Sequence, residues 1–527
     1  SRPFSSELSD TQQARCTRGH TMTTELLTER YAADLHGVLR CYDRVLITGH
    51  VHPWCYAKGM TAYLYQHDIM IFDYRKRFAN PLRETLRANA ETIARENGLK
   101  IEFIRSSKAF RKEDRIQEIL RTRGGQPGLV HIFSAMERCL AYTPWHDKQI
   151  GKTYVKVTSG KCLHYYFYFI DADLGLCYLR VPTWCPFRLQ FYFNAHNWLA
   201  NQLKQEHIGF ELQDNAFLQI DDFERANHLA ARFNIESLHA KLDGFAQLYC
   251  PVAATRGLEY RWSLMQAEYA TDLVFKRQST LQAFYPLLLE TLIQAVKPAD
   301  IATFLGRKLR GNYQGELGNR FNVRWLGSRI KHHMGPVAIK MYDKFNIVLR
   351  IETTVNNVAF FKQYRQVHHR NGTTSTKWAT MKKTIYSLAS LQQTLLAANQ
   401  RYLKFISEIK TPEVGVQKLH RLAETKAEKQ HRYKGFNLFT EEDTSLFRTL
   451  LQGEFFISGF TNKSLRQYLP HKNSGQVTRL LKRLRVHGLI KKVGRRYKYY
   501  LTEFGRQVIA LALKLRELVI IPELAQA

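Results

Sequence analysis

Apolar and polar residues recur along this chain with two different periods, and the switches between them mark out its elements. From residue 44, short apolar runs alternate with helical stretches. Residues 44–48 (RVLIT), 68–74, 100–104 and 128–134 predict strands, and 54–66, 81–96 and 112–121 predict helices. Such alternation predicts an α/β unit with a mainly parallel sheet and site-bearing loops at its strand ends. Residues 135–160 read as a loop with some strand. The most aromatic part follows: HYYFYFI and LCYLRV flank a turn at 171–175, FRLQFYF adds a third strand, and a helix is expected at 194–206. This predicts an antiparallel sheet backed by a helix, in which the rings either fill the sheet or form a platform for stacked bases.

Between 220 and 296 the period is helical, at 222–233, 235–248 and 262–275. In the last of these, Glu268 and Asp272 fall four apart on one predicted helix face, a spacing that suits a solvated surface or a shared divalent cation. Strands with glycine-rich turns return over 300–357. There KMYDK (340–344) and RIE (350–352) predict a hairpin that brings Asp343 and Glu352 together. The segment 362–383 is basic and turn-rich, either a nucleic-acid contact or a plain basic loop. A helix is expected at 385–409 and a linker at 426–435. Beyond it come a helix at 441–452, an extended piece at 456–461, helices at 462–469 and 474–487, a short hairpin centred on 493–495, and a last helix at 502–518. The predicted fold is α/β plus α+β and multidomain. It has a polar tail (1–30, with Met22 a candidate start), an α/β domain (31–160), a central α+β region (161–435) and a C-terminal module (440–527).

Charge changes this picture from architecture to partner. The formal net charge is +32 and the pI about 9.8, which favours a polyanion. Nucleic acid comes first and an anionic membrane second. No apolar run is long enough to span a bilayer and no signal-peptide plan opens the chain, so the expectation is a soluble, cytoplasmic, nucleoid-associated protein without membrane contact. The eight cysteines are scattered without a CxxC pair, which predicts reduced thiols rather than a zinc motif. The cations concentrate in 474–501, which carries nine Lys or Arg and no acid. Ser474, Gln476, Arg479, Lys482, Arg483, Arg485, Lys491, Lys492, Arg495, Arg496 and Lys498 are therefore the candidate contacts to duplex DNA.

The stretch SGQVTRLLKRLRVHGLIKKVGRRYKYYLTEFGRQV resembles a winged-helix domain of the MarR-like group of regulators. The resemblance implies that the helix at 474–487 enters the major groove while Arg495 and Arg496 at the wing tip touch the minor groove or backbone. A winged helix used for protein contacts is the plainer alternative. Further forward, YDK followed by LRIE is similar to a hairpin of rolling-circle replication initiators. That likeness implies a metal held by Asp343 and Glu352 and a tyrosine nucleophile, with Tyr342, Tyr364 and Tyr386 as the candidates. His50-Val51-His52 resembles the histidine pair of HUH nickases and makes His50 and His52 candidate metal ligands. The leading expectation is thus a DNA-binding regulator or mobile-element accessory protein. A metal-dependent nickase or replication initiator using Mg²⁺ or Mn²⁺ is the second, and an RNA-binding protein the third; no cofactor is implied otherwise.

Overall fold

The long apolar and alternating runs between residues 35 and 355 fold into one sheet of eleven strands. The computed structural model describes residues 25–526, apart from 106–109, 310–312, 325–326, 370, 410–418, 438 and 494–496. The tail and Met22 lie outside the described residues. Helix α1 (Leu27–Arg30) leads into β1 (Leu35–Val51), followed by α2 (Ala57–Gln66) and α3 (Asn80–Glu96). The chain returns through β2 (Ile101–Phe103), α4 (Lys112–Arg123), β3 (Gly128–Asp147), β4 (Lys152–Asp171), β5 (Gly175–Pro182) and β6 (Leu189–Asn194). Strand β6 pairs with β1, and α5 (Ala195–Gln205) lies against β1.

A small hairpin, β7 (Phe210–Gln213) and β8 (Ala216–Ile220), and helices α6 (Phe223–Ala230) and α7 (Ile235–Tyr249) come next. The first plan then repeats. Strand β9 (Tyr260–Phe275) is followed by α8 (Gln278–Ala295) and α9 (Pro298–Phe304). A meander of β10 (Leu317–Arg324), β11 (Gly327–Met334), β12 (Val337–Lys344) and β13 (Val348–Val355) brings the chain back to pair with β9. The ribbon of β14 (Lys362–His368) and β15 (Thr374–Thr380) stands outside the sheet, and α10 (Leu388–Glu408) packs on β9 and β13. The strand order is β10-β11-β12-β13-β9-β1-β6-β5-β4-β3-β2, so the two repeats meet where β1 and β9 pair antiparallel.

Several expectations change, among them the loop at 135–160, most of which is strand in β3 and β4. The sheet is antiparallel at every described pairing except β2 with β3, and it runs across residue 160 without a break. The expected parallel unit is therefore half of a larger sheet. Residues 68–74 form short 3-10 and π turns instead of a strand. The predicted helix at 262–275 is strand β9, whose residues from Tyr269 to Phe275 are all buried. A central strand covered on both faces loses its alternation and reads as a helix.

The chain divides into units at Ser1–Ile409 and Lys410–Ala527. The second has its own core, including Phe447, Leu450, Leu465, Val477, Leu481, Leu484 and Ile509. It contains a hairpin of β16 (Lys426–Glu428) and β17 (His431–Tyr433), then α11 (Glu441–Leu450), α12 (Gly453–Ser458), α13 (Asn462–Gln467) and α14 (Ser474–Val486). Strands β18 (Ile490–Val493) and β19 (Lys498–Leu501) and helix α15 (Glu503–Leu515) follow. The expected linker at 426–435 is thus partly a hairpin, and Phe436 just beyond it is buried in this core. The expected extended piece at 456–461 is helical to Ser458, after which Phe460 bridges to Tyr499 of β19. Among the described residues no helix is long and apolar enough to cross a membrane.

Candidate functional site

Residues four apart on a strand share a face just as they do on a helix, so β9 directs both Glu268 and Asp272 to one side of the sheet. Strand register adds the rest. Lys340 of β12 pairs with Glu352 of β13, Tyr342 with Arg350, and Arg350 with Asp272 of β9. From β1 comes Asp43, which sits where the pairing with β9 shifts between Tyr42 and Val45. Such an irregularity re-aims a side chain, and here it delivers a carboxylate to the same face.

Arg350 is wholly buried at 0% exposure. Its Nε and Nη2 donate to the two oxygens of Asp272 at 2.7 Å each, its Nη1 donates to Asp43 at 3.0 Å, and Nη2 also donates to the Asn215 carbonyl at 2.7 Å. Asn194 and Asn215 donate to Asp43 at 2.6 and 2.7 Å. Burial by itself would raise the Asp43 carboxyl, but Arg350, then His196 and Asn215, hold it far below the usual carboxylate range. Next to this pair, Lys340 Nζ donates to Glu352 at 2.6 Å and to Glu268 at 2.9 Å, and the Tyr342 hydroxyl donates to the second oxygen of Glu352 at 2.6 Å. Burial raises the Glu352 carboxyl above its ordinary value; Lys340 opposes this and Glu268 adds to it. Burial, then Glu352, drives the Tyr342 phenol well upward. Asp43, Glu268 and Glu352 each offer an oxygen within 4.8 Å of the others, and they are the one group of three or more potential ligands among the described residues.

The sequence-predicted site is therefore half assembled. Glu352 and Tyr342 meet, but Asp343 pairs with Leu349 and points to the opposite face, beside Tyr285 of α8, where burial raises its carboxyl. The hairpin turn has three residues between Lys344 and Val348, with Phe345 and Asn346 at positive φ, and a turn one residue shorter would have put Asp343 and Glu352 on one face. His50 lies on β1, its imidazole lowered by burial and then by Arg188, while His52 is exposed in the short 3-10 turn that follows; neither joins the carboxylate group. Tyr386 is hydrogen-bonded to His239 at 2.8 Å, and Tyr364 lies on the β14–β15 ribbon. Asp43 escaped sequence reading, although a lone acid inside the apolar run of β1 was a usable signal.

The aromatic sheet is a core and not a platform. Tyr166, Tyr168 and Tyr178 are 6%, 4% and 9% exposed, and Ile116 of α4 packs in their cluster. Lys112 of α4 places its ammonium 3.4 Å from the centre of the Tyr166 ring.

In the second unit, Asn473 and Gln476 cap the start of α14 reciprocally, and Gly488 at φ +75° ends it. The cations of this helix divide along its length. Arg483 forks onto Asp443 at 2.8 and 3.0 Å, donates to the carbonyls of Lys434 and Gly435, and lies 3.9 Å over the Phe436 ring. Lys482 and Arg485 both pair with Glu428, at 2.7 and 3.4 Å. These three of the expected DNA contacts are occupied within the unit. Ser474, Gln476 and Arg479 are exposed on the first turns, and Arg479 has no ion-pair partner among the described residues. Lys491 and Lys492 are exposed on β18, with Lys492 3.7 Å over the Tyr497 ring, and Lys498 is half-buried on β19. Arg495 and Arg496 lie outside the described residues.

No family model matches this chain, and no curated protein or solved structure matches it either.

Proposed function

We propose that this chain is a DNA-binding protein whose second unit is a winged helix that holds duplex DNA. The observation that carries this reading is the order of elements around one core: helix, bridge at Phe460 to Tyr499, helix, capped helix α14, and the β18–β19 hairpin. In that arrangement the exposed first turns of α14 (Ser474, Gln476, Arg479) face the major groove, and Lys491, Lys492 and Lys498 reach the phosphates along the wing. The partner class follows from the charge of +32. Regulator or mobile-element accessory is the role we infer. The test is fluorescence anisotropy with a 30-base-pair duplex of mixed sequence, titrated with salt. Arg479→Ala and Lys491→Ala are each expected to weaken binding and to lower the log-log salt slope by about 1. An unchanged slope in both variants contradicts the placement.

A second reading, a metal-dependent DNA nickase or replication initiator, is favoured by one observation: Asp43, Glu268 and Glu352 converge beside the Tyr342 hydroxyl. Asp43, Glu268 and Glu352 would hold a Mg²⁺ or Mn²⁺ ion, which would draw charge from a scissile phosphate, while Lys340 pairs with Glu268 and Glu352. Tyr342 would pass its proton to Glu352 as its oxygen attacks phosphorus and the 3′ oxygen leaves, giving a DNA end joined to the protein. Incubation of supercoiled plasmid with the protein and either metal is then expected to yield relaxed circles carrying covalently bound protein, and Tyr342→Phe is expected to abolish them. Plasmid left intact under every metal condition removes this reading.

A further inference from the structure

With the sheet tyrosines buried, the large rings left to solvent become informative. The β14–β15 ribbon belongs to no larger sheet. Its register sets Tyr364 opposite Trp378, Gln366 opposite Thr376 and His368 opposite Thr374, so these six share one face. Tyr364 and Trp378 are 64% and 67% exposed, and their ring centroids are 6.0 Å apart. On the reverse face Arg365 stands directly opposite Lys377. Both arrangements are unfavourable in an isolated two-stranded ribbon, which is marginal to begin with: like charges opposed across strands repel, and uncovered aromatic surface is exposed to water. A ligand with flat π faces covers the exposed rings, and an anionic one also suits the positive charge of the ribbon.

The surroundings have the charge such a ligand requires. No Asp or Glu occurs between residues 353 and 407. Lys362 shares the aromatic face, and Lys382 and Lys383 continue the basic run just past β15. Two backbone carbonyls, of Thr380 and Gln366, hold the Arg365 guanidinium along the ribbon, so its charge is presented and not neutralised.

We propose that the β14–β15 ribbon grips single-stranded DNA, with Tyr364 and Trp378 stacking on unpaired bases, Lys362 on the same face neutralising an adjoining phosphate, and Lys382 and Lys383 extending the positive charge just past β15. The strand must be single because the base faces of a duplex are already stacked on one another. This deepens the nucleic-acid reading of the chain but uses a surface separate from α14.

The test uses the full-length protein and fluorescein-labelled 20-mers of deoxythymidine and of uridine, with a 20-base-pair duplex as the third arm. The double variant Tyr364→Ala/Trp378→Ala is expected to lose about tenfold or more of its affinity for the deoxythymidine 20-mer. Its duplex affinity is expected to stay within about twofold, and Tyr364→Phe/Trp378→Phe to retain single-strand binding. Because both rings are exposed, the thermal melt of the double variant should overlay that of the parent. Undiminished single-strand binding overturns the proposal and leaves the ring pair to a protein partner. An equal loss on the duplex, or much tighter binding of the uridine 20-mer by the parent, also overturns it. If the parent binds the single strand through these rings but does not bind the duplex, this inference stands and the winged-helix reading falls.

Discussion

His332 on β11 is enclosed at 0% exposure, and its two nitrogens have different partners: Asn319 Oδ1 at 2.6 Å from Nδ1, and the Tyr402 hydroxyl at 2.9 Å from Nε2. Asn319 spends its amide N–H on the Val296 carbonyl at 3.0 Å, which leaves its oxygen to accept from Nδ1. His332 Nε2 therefore accepts from Tyr402, and the neutral ring satisfies every partner. Burial, then His333, pushes this imidazole down to about 3. Unfolding returns it to about 6.5, so the unfolded chain binds more protons in between. The stabilisation is complete above the unfolded value and is lost as pH falls from about 6.5 towards 3, at up to about 1.4 kcal/mol per pH unit. Urea unfolding between pH 7.5 and 4.5 is expected to show a shallower pH dependence in His332→Gln than in the parent; equal slopes contradict this. At the same scale, Glu352 and Tyr342 were singled out in the sequence, but alternation with an assumed turn set Glu352 beside Asp343 and Tyr342 on the other face, whereas Tyr342 is the one that meets Glu352. Asp343 was misplaced because the turn length, which no local residue dictated, decides the parity of the whole strand.

At the scale of elements, a single helix does two jobs. In α14 the N-terminal turns offer exposed polar and cationic groups, while Arg483 ties the helix to Asp443 and to the backbone at Lys434 and Gly435. Both Arg483 and Asp443 are largely withdrawn from water, so removing one charge strands the other. Arg483→Ala is therefore expected to cost about 3 kcal/mol or more in the chemical unfolding of this unit. Arg479→Ala, at an exposed position, is expected to leave stability within about 0.5 kcal/mol. Similar losses in the two variants would show that Arg483 is no anchor. In the sequence all nine cations of this stretch read as DNA contacts, since nothing local distinguishes an arginine aimed at Asp443 from one aimed at solvent. Strand β9 shows the same limit: its Glu268 and Asp272 were picked out by their spacing of four, which holds on a strand face too, while the element itself was misread.

At the scale of the molecule, two separate cores imply two cooperative units. A fragment of residues 410–527 is expected to fold alone, with helical circular dichroism and a cooperative melt, and the full chain to show two transitions by scanning calorimetry. A fragment that stays unstructured contradicts this division. Within the first unit, the repeated plan of a strand, two helices and a returning meander places β1 beside β9. That adjacency unites Asp43 with residues more than two hundred positions away. By itself the sequence determined the basic character, most helices, and in the C-terminal unit the helices at 441–450, 462–467, 474–486 and 503–515 with the hairpin between the last two, because periodicity, caps and turn residues act over a few positions. Only the tertiary structure decided that the sheet is continuous and antiparallel, which face each carboxylate takes, and which arginines are already paired. Those depend on strand register and on partners distant in the chain, and no local pattern encodes them.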